Sequence, residues 1–166
     1  MRLFLLRHAE AAPGIPDAER ALTKRGRAQV ERLVEALDWS CLRDVRTLEH
    51  SGLVRARQTA EDLVRLAGLK LPLAIRPGMR PADDPRVLLQ ELVTSRSDRL
   101  LVGHNPHLGR LAGVLLGGGA TEVSVVLKKC GFLALERAEE RSKALPIGRW
   151  RLLWLMSPGR FSEEAE

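Results

Sequence analysis

Arg7-His8, the run from Ser51 through Arg55 to Thr59, and Gly103-His104-Asn105-Pro106 are three polar clusters drawn from distant parts of a 166-residue chain. Brought together, Arg7, His8, Arg55 and His104 make a concentrated positive pocket with no carboxylate among its members. Burying such charge is unfavourable unless an anion compensates it. The planar fork of arginine binds two phosphate oxygens at once, so a phosphoryl group is the natural occupant. Taken singly, each cluster has a structural reading: a strand-end pair at the surface, a solvated helix arginine, a histidine supplementing a helix cap. The functional reading rests on all three falling at equivalent ends of strands.

That placement follows from the elements around them. Leu3 to Leu6 is a short apolar run that reads as a buried strand. Pro13 to Asp17 is loop, and Thr23 caps a helix whose Val30, Leu33, Val34 and Leu37 recur at helical spacing. A second strand is expected at Val45 to His50, then a helix with Ala56, Ala60, Leu63, Val64 and Ala67 on one face, stopped by Gly68. Leu71 to Ile75 is a third, short strand, and the proline-rich stretch from Arg76 to Pro85 is loop. Pro85 to Thr94 is a short helix and Arg99 to Val102 the next buried strand. Asn105 and Pro106 read as the cap and first-turn proline of a further helix. Its positive N-terminus would face the same edge of the sheet. Val123 to Leu127, Phe132 to Glu136 and Trp150 to Leu155 complete the strand-like runs, with a charged turn from Glu139 to Lys143. Alternating strands and helices followed by strands predict an α/β fold: a three-layer α/β/α sandwich with a mixed, largely parallel central sheet. Ligands of such sheets gather at the carboxyl ends of the strands, where the three clusters lie.

Length and 45% hydrophobic content suit one domain, expected over 1–156, with 157–166 as a C-terminal tail. The apolar runs fall far short of the roughly 20 residues that cross a bilayer, and Met1 to Leu6 is too short for a signal peptide, so a cytoplasmic protein without membrane partners is expected. Cys41 and Cys130 are isolated and read as free thiols. The formal charge is +6, but the charges are spread along the chain and aromatics are only 4%, which argues against nucleic acid as a partner. His104 and His107 are three residues apart, yet Pro106 between them fits a helix start better than a metal site, and no third ligand is evident.

The segments Leu5-Leu6-Arg7-His8-Ala9-Glu10, Ser51-Gly52-Leu53-Val54-Arg55-Ala56-Arg57-Gln58-Thr59-Ala60 and Val102-Gly103-His104-Asn105-Pro106 resemble, in order and spacing, the histidine phosphatase (phosphoglycerate-mutase-like) superfamily. Arg20-Ala21-Leu22-Thr23-Lys24-Arg25-Gly26 looks like the family's short element before its first helix, and the similarity extends to Trp154-Leu155-Met156-Ser157-Pro158. The short length, Ala9 after the histidine and that ending most resemble the small SixA-type phosphohistidine phosphatases. The resemblance implies a phosphoglycerate-mutase-like fold and a metal-independent hydrolase with no cofactor. It makes His8 the nucleophile, forming a covalent phosphohistidine, and Arg7, Arg55 and His104 the other catalytic and phosphate-binding residues. The implied substrate is a phosphorylated protein, such as a phosphotransfer domain. A small phosphomonoester (a sugar or nucleotide phosphate) and a non-catalytic phosphoryl-binding regulatory module are the alternatives.

Two departures matter. The family commonly has proline where Gly52 stands, so a looser turn is expected there. Larger members carry a proton-donating carboxylate in the loop after the third strand, where this chain offers only Asp83 and Asp84; neither is assigned as the acid. A phosphohistidine substrate tolerates that lack, because imidazole leaves more easily than an alkoxide and general acid catalysis, worth about 10²–10⁴-fold, is less needed. Glu49 and His50 are unusual polar residues just before Ser51, and His50 is read either as a pocket neighbour or as a strand-end surface residue.

Overall fold

The computed structural model describes residues 1–119 and 124–157. Their elements are β1 (Arg2–Arg7), α1 (Lys24–Glu35), β2 (Leu48–His50), α2 (Val54–Leu66), β3 (Leu73–Ile75), α3 (Pro85–Leu92), β4 (Arg99–Gly103), α4 (His107–Leu116), β5 (Phe132–Glu139) and β6 (Arg149–Met156). One six-stranded sheet has the order β3-β2-β4-β1-β5-β6. β3, β2, β4 and β1 pair in parallel, while β5 runs antiparallel to both β1 and β6. The sheet is therefore mixed and largely parallel, as expected.

The period-two alternation of strand side chains divides the core into two layers. Phe4, Leu6, Leu100, Val102, Phe132 and Ala134 pack with Val30 and Leu33 of α1 and Ala56, Ala60 and Leu63 of α2. Their neighbours Leu3, Leu5, Leu101, Leu133 and Leu135 pack on the opposite face with Leu88 and Leu92 of α3 and Leu108, Leu111 and Leu115 of α4. β1 and β4, buried on both faces, are continuous apolar runs for that reason. Thr23 caps α1 as expected, its side chain accepting from Gly26 N. Gly26 is fixed by close approach, since a Cβ there would lie 2.1 Å from the Glu10 carbonyl oxygen. No helix among the described residues is long and apolar enough to cross a membrane.

Several boundaries differ from the sequence reading. β2 begins at Leu48 rather than Val45, because a 3-10 turn over Trp39–Leu42 precedes it and Val45 N bonds back to Leu42 O. β3 begins at Leu73, and α3 ends at Leu92. The strand expected at Val123 to Leu127 is not one over its described part, residues 124–127; Val123 lies outside the described residues. The Leu127 carbonyl instead accepts from Arg7 Nη1 at 2.7 Å and Asn105 Nδ2 at 2.9 Å. Its hydrogen bonds go to side chains rather than to a ladder. The same contact corrects the start of α4. Asn105 does not cap the helix; Pro106 occupies the cap position and the helix begins at His107. Most of the expected tail, 158–166, also lies outside the described residues.

Candidate active site

The C-terminal ends of β1, β2 and β4 bring the three polar clusters to one edge of the sheet. β1 pairs with β4 up to Arg7 and Gly103, and His8 N continues the ladder by donating to Gly103 O at 2.9 Å. His8 and His104 therefore leave adjacent strands side by side, with ring centroids 4.9 Å apart. Ser51, just beyond β2, places its Oγ 2.6 Å from His104 Nε2. Arg55 lies in the first turn of α2, where its side chain is only 4% exposed. A solvated helix arginine is thereby excluded, and all four predicted residues gather at this edge.

The His8 ring is fixed by its own backbone. Its Nδ1 is 2.6 Å from the Ala9 carbonyl oxygen, an acceptor, so Nδ1 carries the proton and Nε2 is left with its lone pair. Ala9 is held in turn: its N–H donates to Thr59 Oγ1 at 3.1 Å, and Thr59 donates to Arg55 O at 2.7 Å. One threonine thus ties the β1 end to the helix turn that carries Arg55. Burial pushes the His8 pKa down to about 4, with Arg55, Arg7 and Lys129 adding to the depression against the opposing Ala9 bond. Burial is the larger cause, and the neighbouring cations add to it.

His104 is pushed down to about 3, again first by burial and then by His8 and Arg55. It is neutral near pH 7. Leu53 N donates to Ser51 Oγ at 3.4 Å, and the Ser51 hydroxyl pairs with His104 Nε2. His104 Nδ1 is buried without a hydrogen-bond partner. Arg7 is in a similar state, with Nη1 on the Leu127 carbonyl and Nε buried and unpartnered. These are buried polar atoms without protein partners in a positively charged recess, and an incoming oxyanion supplies an acceptor there.

A carboxylate does reach this pocket, contrary to the sequence reading. Arg55 Nη1 donates to Asp17 O at 2.7 Å and Nη2 to Asp17 Oδ2 at 3.0 Å. No periodicity or motif marks Asp17; the only hint was a carboxylate in the loop following His8. Ser51, which stood at the head of the second cluster, gains a definite partner in His104.

The remaining candidates lie apart from these contacts. His50 is buried, and its Nδ1 accepts from Gly52 N at 3.1 Å, steadying the turn into α2. Glu49 pairs with Arg99 and Arg76 as a structural ion cluster. Gly52 has φ +85°. Proline, fixed near −65° and lacking an N–H, fits neither that angle nor the bond to His50. The departure from the family's proline therefore makes a differently closed turn rather than a looser one. Asp83 accepts from Arg80 N at 2.7 Å, and Asp84 caps α3 by accepting from Arg86 N at 2.9 Å. His107 is buried with both ring nitrogens unpartnered, and no group of three His, Cys, Asp or Glu among the described residues is placed to hold a metal.

Comparison with known proteins fits this geometry. The family model of the histidine phosphatase superfamily (branch 1) matches residues 3–83. No curated protein sequence matches the chain. Among solved structures, the protein histidine phosphatase SixA complexed with tungstate superposes with a TM-score of 0.79 at 22% identity, covering 95% of this chain and 97% of that one. A mycobacterial glucosyl-3-phosphoglycerate phosphatase superposes with a TM-score of 0.64 at 20% identity, covering 91% and 96%. At these identities the likeness is one of fold.

Proposed function

We propose that this chain, which belongs to the histidine phosphatase superfamily, is a phosphohistidine phosphatase that removes phosphate from a phosphorylated protein through a covalent intermediate on His8. The observation that carries the reading is the His8 ring: Nδ1 tied to Ala9 O at 2.6 Å, Nε2 unprotonated, and Arg7, Arg55 and His104 around it.

The reaction follows from those atoms. The Nε2 lone pair attacks phosphorus in line with the departing group, and the phosphoryl group moves to His8. The new positive charge on the ring is stabilised by the Nδ1–H bond to Ala9 O. Arg7, Arg55 and a donating His104 hold the equatorial oxygens, where preorganised donors contribute most in a site shielded from water. Water then attacks the phosphohistidine, releasing phosphate and neutral His8.

A protein substrate is favoured by the absence of an assigned proton donor. Asp83 and Asp84 are both engaged with backbone N–H groups, so a leaving group that needs no external proton suits the site best. The likeness to a sugar-phosphate phosphatase keeps a small phosphomonoester as the second reading. The test is release of phosphate from a labelled phosphohistidine-carrying phosphotransfer domain, run beside a panel of sugar and nucleotide phosphates. Turnover of the phosphoprotein by wild type and none by His8→Ala is expected. Equal, slow release by both overturns the reading, and efficient turnover only of the small phosphates transfers it to the second.

A further inference from the structure

Asp17 is a charged feature of the pocket that the proposed reaction does not use. It opens a 3-10 turn over Asp17–Glu19, between β1 and α1. Its two carboxylate oxygens are shared between two arginines: Oδ2 accepts from Arg55 Nη2 at 3.0 Å, and Oδ1 accepts from Arg20 Nη1 at 2.9 Å. Arg20 is itself anchored, its Nε donating to Ala12 O at 2.7 Å. The Asp17 side chain is 60% exposed while that of Arg55 is 4% exposed, so the carboxylate stands on the solvent side of the guanidinium. Nearby carboxylates are engaged elsewhere: Glu10 with the Thr23 hydroxyl, Arg25 and Lys129, and Asp83 and Asp84 with backbone N–H groups.

In-line attack fixes which side matters. His8 is buried, so the leaving group departs toward solvent. That is the side of Arg55 on which the exposed Asp17 carboxylate stands, near enough to His104 to act on its charge. We propose that Asp17 is a specificity-determining residue, accepting a hydrogen bond from the cationic imidazole leaving group of a phosphohistidine and opposing doubly charged phosphomonoesters. This rests on the phosphohistidine reading above.

The step balances without an acid. In the protonated substrate, the imidazole bonded to phosphorus through one nitrogen carries a proton on the other. The His8 Nε2 lone pair forms the new P–N bond. The electron pair of the old P–N bond returns to the leaving ring, which departs neutral with its proton still in place. The positive charge passes to the His8 ring. A phosphomonoester would leave as an alkoxide that needs a proton. Asp17 does not supply one, since its bonds to Arg20 and Arg55 hold its carboxyl below the usual carboxylate range. Its negative charge, bonded to the arginine that holds the phosphoryl oxygens, also favours departure of the phosphate product.

The test compares wild type with Asp17→Asn and Asp17→Ala on N-phosphoimidazole and p-nitrophenyl phosphate, and measures binding of inorganic phosphate by calorimetry. Asp17→Asn keeps the shape and the backbone contact to Arg55 but loses the charge. It is expected to lower kcat/KM for N-phosphoimidazole by about tenfold while leaving p-nitrophenyl phosphate unchanged or improved, and to tighten phosphate binding by about tenfold, the scale of one partly screened charge contact. An equal loss on both substrates with weaker phosphate binding overturns the proposal, because Asp17 would then only hold Arg55 in place. Should wild type turn over neither substrate, the phosphohistidine reading fails on its own terms. Phosphate binding still decides the role of Asp17: tighter binding in Asp17→Asn supports it, and unchanged or weaker binding overturns it.

Discussion

Two ends of the sheet each bury guanidinium groups, and they do so to opposite effect. At the amino end of β1, Arg137 of β5 is 1% exposed and its terminal nitrogens are fully engaged. Nη1 donates to Leu92 O and Val93 O at the C-terminus of α3, Nη2 donates to Ser95 O and Glu140, and the group lies 5.8 Å over the Trp150 ring. A cation there meets the negative end of a helix and satisfies carbonyls that would otherwise lack donors. At the carboxyl end, Arg7 has one protein hydrogen bond, and His104 Nδ1 and Arg7 Nε have none though both are buried. Of the six buried side-chain polar atoms without a partner among the described residues, five belong to Arg7, His104, Asn105 and His107, and one to Arg137. Buried positive charge alone therefore does not mark a functional site. What distinguishes the carboxyl end is that buried polar atoms of Arg7 and His104 cluster there without protein partners.

The comparison breaks most sharply under matched substitutions. Arg7→Met and Arg55→Met should each lower kcat/KM by about 10²–10³-fold, as expected for removing an oxyanion donor. Their effect on Tm should be smaller than at Arg137, since Arg7 makes one protein hydrogen bond and the bonds of Arg55 go to the exposed Asp17. Arg137→Met should do the reverse. Stranding the Leu92, Val93 and Ser95 carbonyls costs about 2–4 kcal/mol, or roughly 5–15 °C in Tm, while kcat/KM of the folded enzyme stays near wild type. Thermal denaturation and steady-state kinetics on the three variants separate the two ends, and a Tm loss at Arg55 matching that at Arg137 would erase the distinction.

The pH dependence sharpens the same contrast. His8 must be neutral to attack, and its pKa is depressed to about 4. The acid limb of kcat/KM, which reports the free enzyme, should therefore fall near pH 4 rather than near 6.5. Stability follows with a definite sign. Between the folded pKa values of about 4 and about 3 for His8 and His104 and the unfolded value of about 6.5, the unfolded chain binds more protons. Stability is thus full above about pH 6.5 and is lost as pH falls through that window, by at most about 1.4 kcal/mol per pH unit for each histidine. Kinetics and urea midpoints from pH 4 to 8 check both limbs.

The smallest effect is expected at Asp84, one of the two carboxylates in the loop between β3 and α3. Asp84→Ala removes the cap of α3 and should cost about 1 kcal/mol of stability, with kcat/KM unchanged within twofold. A large kinetic loss would make Asp84 part of the chemistry.

Much of this was legible in the sequence, for identifiable reasons. β1 and β4 are buried on both faces, so Leu3–Leu6 and Leu100–Val102 read as uninterrupted apolar runs, and the charged residues just beyond them stand out. Arg7, His8, Arg55 and His104 were legible because strand ends are visible in the pattern. What was not legible depends on contacts across the fold. Val125, Val126 and Leu127 have strand composition, but the Leu127 carbonyl is taken by Arg7 and Asn105. Asn105 looks like a helix cap, yet that same bond draws its side chain away. Asp17 sits in a loop without periodicity, and only the fold brings it 38 residues along the chain to Arg55.

The central claim is that His8 carries the phosphoryl group, and rapid quench tests it most directly. Wild-type protein mixed with a labelled phosphohistidine domain and stopped within milliseconds should carry an acid-labile, base-stable phosphoryl group that maps to His8, absent from His8→Ala. Release of phosphate at the wild-type rate with no label on His8, or the same rate from His8→Ala, would contradict it.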